Sequence, residues 1–136
     1  NKAGLGINHG IAHNLGGMFH IPHGLANAIL LPHVVTFNSR DDGCLNRYAQ
    51  LAKVTGISPF TDTSRNAVDK LIAYIRDIMK KMEMPTSLIA WGMDRNEFEA
   101  GKRQLAENAL VDTCTQTTPL MPTAEEVLEI LNNISK

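Results

Sequence analysis

The sequence predicts an all-α helical bundle. Apolar residues recur at helical spacing along most of the chain, helix-capping signals precede those stripes, and no stretch sustains the period-two alternation of a half-buried strand. Taken in chain order, the first helix carries His9 and His13 and continues to Leu15, with Gly16-Gly17 as its C-terminal break. Pro22-His23-Gly24 opens the second helix, since the missing N–H of proline is no loss in a first turn. That helix extends from His23 to Asn38 with a bend near Pro32. The segment from Ile29 to Phe37 is rich in β-branched residues, but Pro32 would cost a central strand one of its ladder hydrogen bonds.

The third helix covers about Cys44 to Val54 and is closed by Gly56. From Asn66 to Met82, Val68, Leu71, Ile72, Ile75, Ile78, Met79 and Met82 trace one buried face, with Ser64 as N-cap and Pro85 as the stop. Asp94 with Glu97 forms a capping-box-like start to a helix ending near Leu110. Thr123 with Glu126 repeats that signal ahead of Val127, Leu128, Leu131 and Ile134.

Composition narrows the function classes. The 136 residues fit one domain, 1–136, and 43% of them are apolar, too many for a disordered tail. Thirteen basic against fourteen acidic side chains give a net charge of −1, so no basic excess exists to neutralise nucleic-acid phosphates. The longest apolar run, Leu25 to Phe37, is interrupted by Asn27, Pro32 and His33 and is too short for a bilayer span. Cys44 and Cys114 cannot build a disulfide framework, and nothing resembles a signal peptide. A reducing cytoplasm is the default compartment. Residue 1 is Asn and opens at once into Gly- and His-rich sequence, so a piece of a longer protein is expected.

All five histidines lie within the first 33 residues, a segment that holds six of the ten glycines and no carboxylate. His9 and His13, four apart, share a helix face, and a short link can return His23 beside them. Three imidazoles from two helices suit a divalent transition metal, although a helical His pair on its own is more often ordinary surface. His20 and His33, without spaced partners, read as structural. Gly10 stands where a zinc-protease motif would put its glutamate, and no strand precedes the glycines to make a phosphate loop. Further metal ligands are therefore expected from chain preceding residue 1.

The run Gly4, His9, Ala12, His13, Leu15, Gly16, Pro22-His23-Gly24, Ala28 and Pro32 resembles the signature of the iron-containing (group III) alcohol dehydrogenases. Asp112-Thr113-Cys114-Thr115 followed by Thr118-Pro119 resembles a second family element. Thr118 replaces its usual Asn, and Leu120 an Arg that often follows. The resemblance implies the C-terminal part of a dehydroquinate synthase-like fold, whose N-terminal nucleotide-binding domain is absent from this sequence. It implies Fe(II), or Zn(II), held by His9 and His23 together with an upstream Asp-x3-His. It moves His13 from the metal, where spacing alone would pair it with His9, to the nicotinamide and substrate as the catalytic proton carrier, with Cys114 near the same cofactor cleft. NAD(H) or NADP(H), a small alcohol or aldehyde substrate and a homo-oligomer are implied with these roles, as is inactivity of this stretch by itself. Two other readings stay open: a zinc-dependent glycerol or polyol dehydrogenase of the same fold, and a non-catalytic helical binding or assembly domain.

Overall fold

The computed structural model describes the backbone of residues 6–114 and 122–136 and the side chains of residues 7–112 and 122–136. Seven helices follow one another, with no strand among the described residues: α1 (Gly6–Phe19), α2 (His23–Asn38), α3 (Asp42–Val54), α4 (Ser64–Lys81), α5 (Leu88–Trp91), α6 (Arg95–Cys114) and α7 (Ala124–Ser135).

Helix α2 is the central element, and two apolar clusters meet on it. Ile29, Leu30 and Val34 face a core built with Ile7, Ile11 and Leu15 of α1, Phe98 and Leu105 of α6, and Leu131 and Ile134 of α7. Val35, one position on from Val34, faces the second cluster, where Tyr48 and Ala52 of α3 pack on Val68 and Leu71 of α4. Each fully buried Leu, Ile or Phe contributes about 1.5–3 kcal/mol, so this two-sided burial outweighs the weak helix propensity of the β-branched run. The helix continues through Pro32, which is itself buried.

The capping chemistry is local and readable. Asp41 caps α3 by accepting from Cys44 N–H at 2.9 Å. Asp94 accepts from Asn96 N–H at 2.8 Å ahead of α6. Thr123 and Glu126 bond each other's backbone N–H reciprocally at the start of α7, a complete capping box.

Four expectations need correction. The expected buried face of α4 holds at Val68, Leu71, Ile72 and Met79, but Ile78 and Met82 are 37% and 66% exposed, Met82 lying past the helix end as its C-cap. Helix α1 does not break at Gly16-Gly17 but runs to Phe19, because its last turn places Met18 and Phe19 against the core. The rings of Phe19 and Phe98 lie 6.0 Å apart. A Cβ on Gly101 of α6 would come within 3.1 Å of Phe19, so the glycine in α6, and not the pair in α1, serves this contact. The turn that ends α1 is made by His20, in the left-handed region with φ 62°, its N–H bonded to Gly16 C=O. The N-cap of α4 is Thr63, whose hydroxyl accepts from Asn66 N–H at 3.1 Å; Ser64 is the first helical residue and donates to Asn46 instead. Helix α6 extends a full turn beyond Leu110, to Cys114. The one-turn helix α5, capped by Ser87, carries too few residues to show a period.

Candidate functional site

The candidate site lies where α1 and α2 meet. His9 stands near the start of α1 and His23 is the first residue of α2, the two helices being joined by residues 20–22. Both imidazoles are exposed, and their rings face each other edge to face, with centroids 5.8 Å apart and planes 78° apart. Beneath them the helices are pinned by a hydrogen bond from Asn8 Nδ2 to Asn27 Oδ1 at 2.8 Å. Asn8 is only 7% exposed, and its Oδ1 has no partner among the described residues. The residue preceding one imidazole and the residue one turn beyond the other thus set how α1 sits on α2.

His13 lies one turn along α1 from His9 but is engaged elsewhere. Its Nδ1 is 3.1 Å from Asp112 Oδ2 on α6, with the two side chains 72% and 38% exposed. The same carboxylate oxygen accepts from Asn14 Nδ2 at 2.8 Å, and that amide nitrogen also donates to Gly10 C=O at 2.8 Å. The structure therefore brings His9 to His23 and sets His13 against a carboxylate 99 residues away in the chain.

The other two histidines play different parts. His20 is an exposed turn residue. His33 is half-buried on α2, and burial, aided by the Arg76 guanidinium, holds its pKa below the usual histidine value. Cys44 is fully buried, and burial followed by the Asp41 carboxylate pushes its thiol up, which keeps it protonated and inert. Cys114 closes α6, but its side chain, like Thr115, Thr118, Pro119 and Leu120, lies outside the described residues.

A divalent transition metal binds neutral imidazole nitrogens at about 2.0–2.1 Å. Neutral imidazole nitrogens are the donor type a divalent transition metal takes, and the structure brings two such rings together, 5.8 Å between centroids. Among the described residues no group of three or more His, Cys, Asp or Glu side chains gathers as a complete metal site.

Residues 1–135 match the C-terminal model of the Fe-containing alcohol dehydrogenase family. The chain belongs to that family. It is 39% identical over 134 residues to the 1-propanol dehydrogenase of Citrobacter freundii, covering 98% of this chain and 36% of that enzyme. It is 42% identical over 130 residues to the NADPH-dependent butanol dehydrogenase of Clostridium saccharobutylicum, covering 96% and 32% of the two chains. Its fold superposes on the crystal structure of a 1,3-propanediol oxidoreductase with a TM-score of 0.81 at 30% identity, over 94% of this chain and 32% of that one. An alcohol dehydrogenase from Oenococcus oeni gives 0.80 at 28% identity, over 93% and 31%. The chain thus spans about a third of the length of these Fe-containing alcohol dehydrogenase relatives, and its helical architecture is theirs.

Family membership and spacing together separate what was legible from what was not. The pairing of His9 with His23 follows the family signature. Asp112 was visible only as a letter of the second motif, with nothing along the chain to tie it to His13. The Asn8–Asn27 bond had no signal at all, since neither residue lies at a position that the signature names.

Proposed function

We propose that residues 1–136 form the single helical, metal-holding unit of an alcohol dehydrogenase that interconverts short-chain alcohols and aldehydes by hydride transfer. The observation that carries this is the approach of the His9 and His23 rings across the α1–α2 junction, in a chain of the Fe-containing alcohol dehydrogenase family. Fe(II) is the proposed metal, Zn(II) the alternative, and NAD(H) or NADP(H) the redox cofactor. When bound, the metal supplies Lewis acidity at the substrate oxygen and the nicotinamide gives or takes the hydride.

This chain's residues do the rest. His9 and His23 contribute two neutral nitrogen ligands, and the remaining ligands, an Asp and a third His, belong to sequence outside this stretch, as does the nucleotide-binding domain. His13 handles the proton. In the alcohol direction, the substrate O–H bond breaks toward its Nε2 as the hydride leaves carbon; in the aldehyde direction, the same nitrogen returns the proton. The family resemblance assigns Cys114 to the cofactor. The names of the propanol, butanol and 1,3-propanediol relatives favour short alcohols, a diol among them. No helix among the described residues is long and apolar enough to cross a membrane, and the enzyme is proposed to work as a homo-oligomer in the cytoplasm.

The test uses the metal-loaded enzyme that carries this chain. His9→Ala and His23→Ala each lower bound metal and turnover together, whereas His13→Ala keeps the metal and loses turnover. Full metal stoichiometry in either of the first two variants refutes the ligand assignment. The 136-residue chain alone reduces no aldehyde; measurable NADH-dependent reduction by it overturns the division of labour.

A further inference from the structure

The geometry points to Asp112 as the residue that positions His13, setting both the tautomer and the orientation of its imidazole. This rests on the proposed role of His13 as proton carrier and extends it to a residue on a different helix.

An exposed His–Asp contact is ordinarily a surface ion pair of little consequence. Two features set this one apart. Asp112 Oδ2 is held from two sides, by His13 Nδ1 at 3.1 Å and by Asn14 Nδ2 at 2.8 Å, and Asn14 is itself anchored to Gly10 C=O at 2.8 Å. The helices that carry these groups are locked together just beneath them, with Ile11 and Leu15 of α1 and Leu105 and Ala109 of α6 all at 0% exposure. The carboxylate oxygen is therefore fixed relative to the ring, and the network spans two helices without depending on a flexible loop.

The chemistry follows from the ring. A carboxylate oxygen can only accept, so the contact selects the tautomer with its hydrogen on Nδ1. The lone pair is then on Nε2, across the ring from Asp112. At 72% exposure, the outer edge of His13 is open to a reactant. An alcohol O–H would give its proton to that nitrogen, the bonding electrons staying on the oxygen, while a bound oxidised nicotinamide would supply the acceptor for the hydride from carbon. In the other tautomer Nε2 carries a hydrogen and has no lone pair to receive the proton. Asp112 takes no proton and touches no substrate. It is a positioning residue.

The test uses the zinc-loaded holoenzyme, diamagnetic and labelled with 15N-histidine, together with steady-state kinetics. Asp112→Asn preserves shape but offers His13 a donor as well as an acceptor. It is expected to lower kcat between about tenfold and a hundredfold, with the alcohol KM within about twofold and metal content unchanged. The His13 nitrogen resonances should move from the Nδ1–H toward the Nε2–H pattern, and Asp112→Glu should recover part of the rate. A purely structural pair would lower the melting temperature but leave the tautomer and kcat alone. Wild-type kcat and tautomer in Asp112→Asn, or loss of metal from it, overturns the assignment even where His13→Gln is inactive. Unimpaired turnover in His13→Gln overturns the His13 role itself, and the Asp112 assignment falls with it.

Discussion

Replacing Asn27 with alanine isolates the contact that sets α1 against α2 below the imidazole pair. Asn8 is 7% exposed, its Oδ1 is already without a partner among the described residues, and Asn27 Oδ1 is the acceptor for its Nδ2. The substitution leaves both polar ends of a buried amide unsatisfied, which costs about 1–3 kcal/mol. In a domain of this size that lowers the melting temperature by roughly 3–10 °C. Because the two helices then lose their fixed rotation, zinc affinity should fall about tenfold, the equivalent of about 1.4 kcal/mol. Thermal unfolding by circular dichroism reads the first quantity, and competition against a chelator reads the second. The double variant Asn8→Leu/Asn27→Ala, which removes both amides, should recover most of the stability but not the zinc affinity. Wild-type melting of Asn27→Ala, or simple additivity in the double variant, refutes the reasoning.

Two further predictions concern the scaffold. His33 has a folded-state pKa held below 6.5 by burial and Arg76, so the unfolded chain binds more protons in the window just below that value. Its contribution is complete above pH 6.5 and is lost as pH falls toward the lowered folded value, at no more than about 1.4 kcal/mol per pH unit and less because the ring is partly solvated. His33→Gln should flatten that acid-side slope in denaturant titrations, and an unchanged slope argues against it. Gly17→Ala should stabilise the protein by about 0.4–1 kcal/mol, because Gly17 is helical and an added Cβ meets nothing within 4 Å. Had Gly16-Gly17 been a helix break, the sign would be reversed, so the melting temperature distinguishes the two.

What could be read along the chain was whatever is encoded locally. The apolar stripe of α4, the Asp94 start and the reciprocal Thr123–Glu126 cap each involve residues within a few turns of one another; the two capping signals stand in the structure, and the stripe stands at Val68, Leu71, Ile72 and Met79 but not at the exposed Ile78 and Met82. The class and the helix order followed from these. The failures are tertiary. Helix α1 passes its two glycines because Met18 and Phe19 find a cleft on α6, more than seventy residues later in sequence, at Phe98 and Gly101. The position of Thr63 could not be told from that of Ser64 because adjacent hydroxyl residues cap equally well and only the backbone at the helix start chooses between them. The same holds for the candidate site. Histidine enrichment marked the segment that forms α1 and opens α2, but the division between His9 with His23 and His13 with Asp112 arises from how α1 lies against α2 on one flank and α6 on another. No spacing rule along a single helix contains that information.

The link between α1 and α2 is only three residues long, and it includes one backbone position already committed to the left-handed region. On the proposed reading such a tether makes the imidazole pair a chelate. A cation captured by one ring meets the second at a local concentration that no free imidazole in solution can match, and little chain entropy remains to be lost on closing the second bond. On the proposed reading, loading can therefore begin with this hairpin as a two-toothed claw, leaving the other ligands to complete a coordination sphere that is already half assembled.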